Sequence, residues 1–184
     1  SGLTYQAGDA LGVWFENSTT LASELITALK LNGDEKVTVK LNGKEQTLSL
    51  TQALISSLEI TQTAPAFIEF WANVSGDEKL LSLAADKNAA REFSANHQVV
   101  DVVKQAPAKV NAQQFVDALR KITPRLYSIA SSQVEVEEEV HLTVGLVSYE
   151  YEGQLRLGGA SSFLAQHLDE GGTVKVFVEH NDNF

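Results

Sequence analysis

The sequence predicts an α+β chain in which a long helical segment is inserted between two β segments. Three observations carry this. A short apolar run at residues 11–15 reads as a buried strand. From about 17 to 122 the apolar residues recur at helical spacing. From 125 onward the pattern is again that of strands, and Pro124 marks the change because a proline biases its preceding residue away from helix.

Taken in order, Gly8-Asp9 is a turn signal before the first strand. Asn17-Ser18-Thr19-Thr20 supplies capping side chains for a helix carrying Leu21, Leu25, Ala28 and Leu29, with Gly33 past its end. A hairpin follows: residues 37–41 and 47–50 flank Asn42-Gly43, the preferred type I′ pair. Ser49 with Gln52 forms a capping box for a helix bearing Leu54 and Leu58. Pro65 opens a helix whose Phe67, Ile68, Phe70, Trp71 and Val74 read as core. Short helices are expected at about 77–84, 87–95 and 98–105, and a last one runs from Asn111 through Phe115, Leu119 and Ile122. Beyond Pro124, strands are expected at 125–132, 140–149 and 174–179, with an acidic loop at Glu135, Glu137, Glu138 and Glu139. A helix opens near Ser161 and ends at Gly171-Gly172.

Composition narrows the function. No apolar run approaches the roughly 20 residues of a membrane span, and no signal-peptide pattern opens the chain. Two glycosylation-like triplets, Asn17-Ser18-Thr19 and Asn73-Val74-Ser75, read as chance without a secretory signal. The absence of cysteine removes disulfides, thiolate metal sites and thiol nucleophiles, and suits a cytoplasmic protein. A net charge of −10 argues against nucleic acid as partner. It still permits one anionic cofactor, because charges beyond a screening length of about 8–10 Å are largely silenced. The abrupt Ser1-Gly2 start and the Asn181-Asp182-Asn183-Phe184 finish lead us to expect a piece of a longer protein.

Chemistry concentrates at Arg125-Leu126-Tyr127-Ser128. Alternation puts Arg125 and Tyr127 on one face and Leu126 and Ser128 on the other. A guanidinium fork suits phosphate and a phenol ring offers a stacking surface. Taken alone, the pair fits either a nucleotide-like ligand or an ordinary strand. Gly158-Gly159-Ala160-Ser161-Ser162 opens a helix, where free N–H groups face an anion or a serine simply caps the end. The four histidines are dispersed, so no metal site and no catalytic residue is assigned. No Gly-x-Gly occurs, so a pyridine nucleotide would need machinery elsewhere.

The stretch Arg125-Leu126-Tyr127-Ser128-Ile129-Ala130-Ser131-Ser132 resembles the Arg-x-Tyr-Ser motif of the ferredoxin–NADP reductase superfamily in its diflavin form. Gly8-Asp9-Ala10-Leu11-Gly12 is similar to that group's Pro-Gly-Asp turn, with Ala7 where proline is usual, and residues 158–164 resemble its pyrophosphate-binding helix start. With Glu179-His180-Asn181-Asp182-Asn183-Phe184, the likeness is to the flavoproteins of bacterial NADPH-dependent sulfite reduction, over essentially the whole chain.

The resemblance implies an antiparallel FAD-binding β-barrel formed by residues 1–16 and 123–184, with residues 17–122 as a helical connecting domain. It implies that Arg125 pairs with the FAD pyrophosphate, Tyr127 stacks on the isoalloxazine and Ser128 bonds near its reactive edge. Thr143, Val144 and Gly145 would line the flavin, Tyr149 the adenosine end, and Gly158, Gly159, Ala160 and Ser161 the pyrophosphate. Thr61 and Ala95 would reach it from the helical lobe.

In that family hydride passes from NADPH to FAD, and electrons then pass singly to FMN and on to a sirohaem and iron–sulfur (beta) subunit in an oligomeric complex. The FMN and NADP(H) domains and at least the first barrel strand are expected to lie outside this chain, so NADPH oxidation is not expected of it alone. Two other readings stand beside this one: the same module in a cytochrome P450 reductase-like protein, and a binding domain with no cofactor.

Overall fold

The structure, a computed structural model, describes residues 2–183. Ser1 and Phe184, at the outer ends of the two terminal stretches read above, lie outside the described residues. The chain separates into two units, Ser1–Glu16 with Thr123–Phe184 and Asn17–Ile122. The first unit begins with β1 (Ala10–Val13), most of which is buried.

The helical unit opens with α1 (Thr19–Leu29), capped by the Ser18 hydroxyl, which accepts from the Leu21 amide. Its left-handed terminal residue is Lys30 (φ 55°), not the glycine read from the sequence. Gly33 serves a different purpose: a Cβ there would collide with Thr51 Oγ1, and its carbonyl accepts from the Thr51 amide at 3.0 Å. The hairpin pairs β2 (Lys36–Leu41) with β3 (Lys44–Ser49), and both Asn42 (φ 51°) and Gly43 (φ 76°) take the left-handed conformation of a type I′ turn. Ser49 caps α2 (Leu50–Ser56) through the Gln52 amide.

Next come α3 (Pro65–Ser75), α4 (Glu78–Ala85), α5 (Lys87–Asn96), α6 (Val99–Gln105) and α7 (Ala112–Asp117). The last stops short of Leu119 and Ile122, because Ala118 and Leu119 turn tightly and Ile122 donates its amide to Ser57 O instead. Trp71 sits at the centre of the core, fully buried. Its ring stacks on Phe67 (5.9 Å, 13°), meets Phe115 edge-on (6.2 Å, 83°), and its indole N–H donates to Ala106 O at 2.8 Å. Each such buried side chain contributes about 1.5–3 kcal/mol. Both ends of the unit are held by one short segment. The Asn17 amide donates to Ile55 O (2.8 Å) and the Ile122 amide to Ser57 O (2.9 Å).

The first unit resumes with β4 (Arg125–Ser128). The acidic stretch is not wholly loop: it contains one turn of helix, α8 (Gln133–Val136). A second hairpin joins β5 (Ser148–Tyr151) to β6 (Gln154–Leu157) across Glu152-Gly153, again with two positive φ angles. It is followed by α9 (Gly159–Ser162), a π-helical turn (Phe163–His167) and β7 (Val176–Glu179).

The sheet order is β4-β1-β7, antiparallel throughout, so β1 is central. Among the described residues these strands do not close into a barrel. The strand expected at 140–149 is ordered as β only from Ser148. Upstream, among the described residues, an isolated Ile129–Leu142 bridge forms and Val147 O accepts from the Gly158 amide, but no strand is built over 143–147. Likewise β4 ends at Ser128 and not at 132. No helix among the described residues is long and apolar enough to cross a membrane.

Candidate functional site

Strand β4 places its chemistry through register. Arg125 pairs with Val13 and Tyr127 with Leu11, both half-buried, whereas Leu126 (51% exposed) and Ser128 alternate to the other face. The Arg125 guanidinium is held by its own neighbourhood. Its Nη1 donates to Thr123 O (3.1 Å) and Thr123 Oγ1 (3.0 Å), and its carbon lies 5.3 Å from the Phe15 ring centroid. A cation over an aromatic face contributes about 0.5–1 kcal/mol when exposed and limits the planes the fork can adopt. Beside it, burial pushes the Tyr127 phenol above its usual pKa, and the Arg125 charge opposes that rise. Tyr127 therefore presents a neutral, partly buried ring.

The second group forms where the β5–β6 hairpin closes. The Gly158 amide donates to Val147 O (2.9 Å), and the Val147 amide donates to Ser161 Oγ (3.1 Å). A Cβ on Gly158 would sit 2.9 Å from both Ser161 Oγ and Val147 Cβ, so this approach requires glycine. The helix starts at Gly159, two residues earlier than the sequence indicates, which places Ala160 and Ser161 inside its first turn. Ala160, Ser161 and Ser162 are all buried. First-turn amides lack intrahelical partners. Ser161 accepts one bond with its oxygen and keeps its proton to give.

Thr143 and Gly145 are exposed and Val144 half-buried, on an extended segment that starts beside the end of β4, where Ala130 N donates to His141 O at 2.8 Å. Tyr149, on β5, pairs with Arg156, which is 4% exposed. Thr61 and Ala95 belong to the helical unit. The Thr61 amide (2.9 Å) and hydroxyl (2.6 Å) both donate to Glu59 Oε1, and Ala95 lies exposed on α5. The sequence reading gave no site role to Thr123, Phe15, Val147 or Glu59. Thr123 and Glu59 lie two residues from Arg125 and Thr61, a spacing that carries no motif, and the other two enter through tertiary contacts.

The donor set fits a flavin dinucleotide. A fixed guanidinium and a helix start backed by a glycine cradle suit a diphosphate, and a neutral tyrosine ring suits a flat heterocycle.

A family model described as FAD binding domain matches residues 1–163. The chain is 57% identical over all 184 residues to the sulfite reductase (NADPH) flavoprotein alpha-component of Vibrio parahaemolyticus, and covers 29% of that protein. It is 55% identical over its full length to the proteins of the same name from Serratia proteamaculans and Aliivibrio fischeri, covering 30% of each. It thus spans under a third of the length of these curated relatives. A match across nearly the whole chain, over residues whose donors suit a dinucleotide, has one conclusion: the chain belongs to the FAD-binding domain family.

Proposed function

We propose that the chain is the FAD-holding electron-transfer module of an NADPH-dependent sulfite reductase flavoprotein. The observation that carries this is the identity of 55–57% to proteins of that name along every residue of the chain. Arg125 pairs with the FAD pyrophosphate, and its Thr123 and Phe15 contacts set the plane of the fork. Gly158, Gly159, Ala160 and Ser161 hold the pyrophosphate through amides and the Ser161 proton. Tyr127 stacks on the isoalloxazine and Ser128 bonds near its reactive edge. Thr143, Val144 and Gly145 line the ring, Tyr149 the adenosine end, and Thr61 and Ala95 contact the cofactor from the helical unit.

When bound, FAD supplies the conversion of a two-electron hydride donor into single-electron transfers. In this reading residues 1–16 and 123–184 form part of a β-barrel that other segments of a longer polypeptide complete, and residues 17–122 are its connecting domain. FMN and NADP(H) domains of that polypeptide, and a sirohaem-containing haemoprotein partner in an oligomeric cytoplasmic complex, take the electrons on to sulfite.

The test is a flavin spectrum. The purified chain mixed with FAD and dialysed retains a flavin absorbance, but does not turn over NADPH. The longer polypeptide oxidises NADPH and reduces the sirohaem partner. Absence of FAD from the longer polypeptide sinks the reading. Electron delivery to a cytochrome P450 with none to the sirohaem protein transfers the module to the other diflavin branch.

A further inference from the structure

Tyr5, in the arm before β1, is buried, and its hydroxyl stands between two stretches of chain. It donates to Glu139 O at 2.9 Å and lies 2.8 Å from Ser131 Oγ. A carbonyl oxygen only accepts and a phenol has one proton, so the Ser131 hydroxyl is the donor to Tyr5. Ser131 Oγ in turn accepts from the His141 amide at 3.0 Å. Polarity is therefore fixed along three bonds, from the His141 amide through Ser131 and Tyr5 to Glu139 O. The arm itself is held, because the Gln133 side chain accepts from the Tyr5 amide (2.9 Å) and donates to Leu3 O (3.1 Å). All of these residues belong to the first unit.

This clasp closes the connection between β4 and the segment at 143–147. Ser131 lies just past the end of β4, and Glu139 and His141 lie just before Thr143. Among the described residues no strand is built over 143–147, and a Cβ on Gly145 would meet nothing within 4 Å. Thr143, Val144 and Gly145 are thus a span hung between two anchors. At one end His141 is held by Ser131, and Leu142 bridges Ile129. At the other, the Val147 amide donates to Ser161 Oγ and its carbonyl accepts from the Gly158 amide. We infer that Tyr5 is a positioning residue that sets where Thr143, Val144 and Gly145 stand beside β4, and so how they meet the flavin. The inference rests on the assignment of those three residues to the flavin.

One test needs no cofactor. NMR relaxation gives amide order parameters for the chain and for Tyr5→Phe. The values at Thr143, Val144 and Gly145 fall in the variant, and those of β1 and β4 hold. Ser131→Ala lowers the same three values, and Ser131→Thr, which keeps the hydroxyl, retains them. An unchanged span overturns the inference. An equal fall across β1 and β4 also overturns it, since Tyr5 would then support the whole unit and not the span.

A second test reads the flavin in the longer polypeptide. Tyr5→Phe weakens FAD about 2- to 10-fold, the range of one neutral hydrogen bond, and shifts the visible circular dichroism of the bound flavin. Asp9→Asn, which loosens the first unit at a different point, leaves that band in place. Parental affinity and an unmoved band in Tyr5→Phe overturn the inference, as does the same shift in Asp9→Asn. A parental polypeptide that binds no FAD defeats the cofactor assignment, while the order parameters still decide whether Tyr5 holds the span.

Discussion

Gly12 lies under the ring of Phe177. The two residues are partners across β1 and β7, and a Cβ on Gly12 would overlap three ring atoms of Phe177. The central strand of the sheet is thus bare at the point where its neighbour folds an aromatic side chain across it. Gly12→Ala is expected to cost about 1–3 kcal/mol through overpacking. The penalty shrinks in a Phe177→Ala background, and urea denaturation of the four proteins gives the coupling.

Arg125 gives the sharpest ligand prediction. Hydrogen bonds to charged groups contribute about 1.5–3 kcal/mol, so Arg125→Ala weakens FAD by about 10- to 150-fold and lowers the salt dependence of binding. Thr123→Val removes one of the two acceptors on Nη1 and has a smaller effect, about 2- to 5-fold, with the salt dependence intact. Titration calorimetry at two salt concentrations separates the two. Equal affinities for Arg125→Ala and parent would remove Arg125 from the site.

Tyr127 should report Arg125 without any cofactor. Burial raises the Tyr127 pKa and the guanidinium offsets part of the rise, so Arg125→Ala moves it further up. Tyrosinate absorbance, corrected with Tyr127→Phe, measures the shift, and a fall would contradict the arrangement. Tyr127→Ala in the flavin-bound protein changes the flavin spectrum through lost stacking.

Asp9 ties the first strand to the end of the last. Its carboxylate accepts from the Asn181 amide (3.0 Å), the Gln6 amide (2.9 Å) and His180 Nδ1 (2.8 Å). The Asn181 and Gln6 amides chiefly hold its pKa below the ordinary value, against the opposing effect of desolvation. A lowered folded-state pKa means the stabilisation is complete above the unfolded value of about 4 and disappears as pH falls through the folded one. Asp9→Asn is therefore less stable than the parent at neutral pH, and the gap narrows in acid. Denaturant midpoints across pH show this, and a gap that widens in acid would refute it.

Trp71→Phe leaves the Ala106 carbonyl without its 2.8 Å donor and thins a fully buried aromatic cluster. An unsatisfied buried acceptor costs about 1–3 kcal/mol. The chain has two tryptophans, and the other, Trp14, is 41% exposed in the first unit. Fluorescence of Trp14→Phe therefore follows the helical unit alone, and the destabilisation by Trp71→Phe falls on amides of Asn17–Ile122 in hydrogen exchange.

Local chemistry was legible where one residue type decides the backbone. Asn42-Gly43 made its turn, and Asn111 and Gln114 cap each other reciprocally as their spacing implies. The alternation of Arg125 and Tyr127 against Leu126 and Ser128 is also present in the burial of β4. Strand lengths were not legible. Residues 143–147 alternate like a strand, yet a strand exists only where a ladder partner lies alongside. The reciprocal box of Gln98 and Asp101 was missed because glutamine is a rare cap, and the π-helical turn at Phe163–His167 has no residue signature. At the candidate site the sequence supplied the groups with charge or ring. The residues that orient Arg125, namely Thr123 and Phe15, are seen only in the folded chain.

The amide of Asn17 and that of Ile122 dock two residues apart, on Ile55 and Ser57. A polypeptide that leaves and returns at neighbouring points is a cassette. Evolution can lengthen, shorten or exchange everything between the two docking points without tearing the strands on either side. The same closeness means that the ends of residues 17–122 can be joined by a short bridge and new ends opened in an exposed turn such as Asn42-Gly43. The helical unit thereby fastens its own two ends with its own residues.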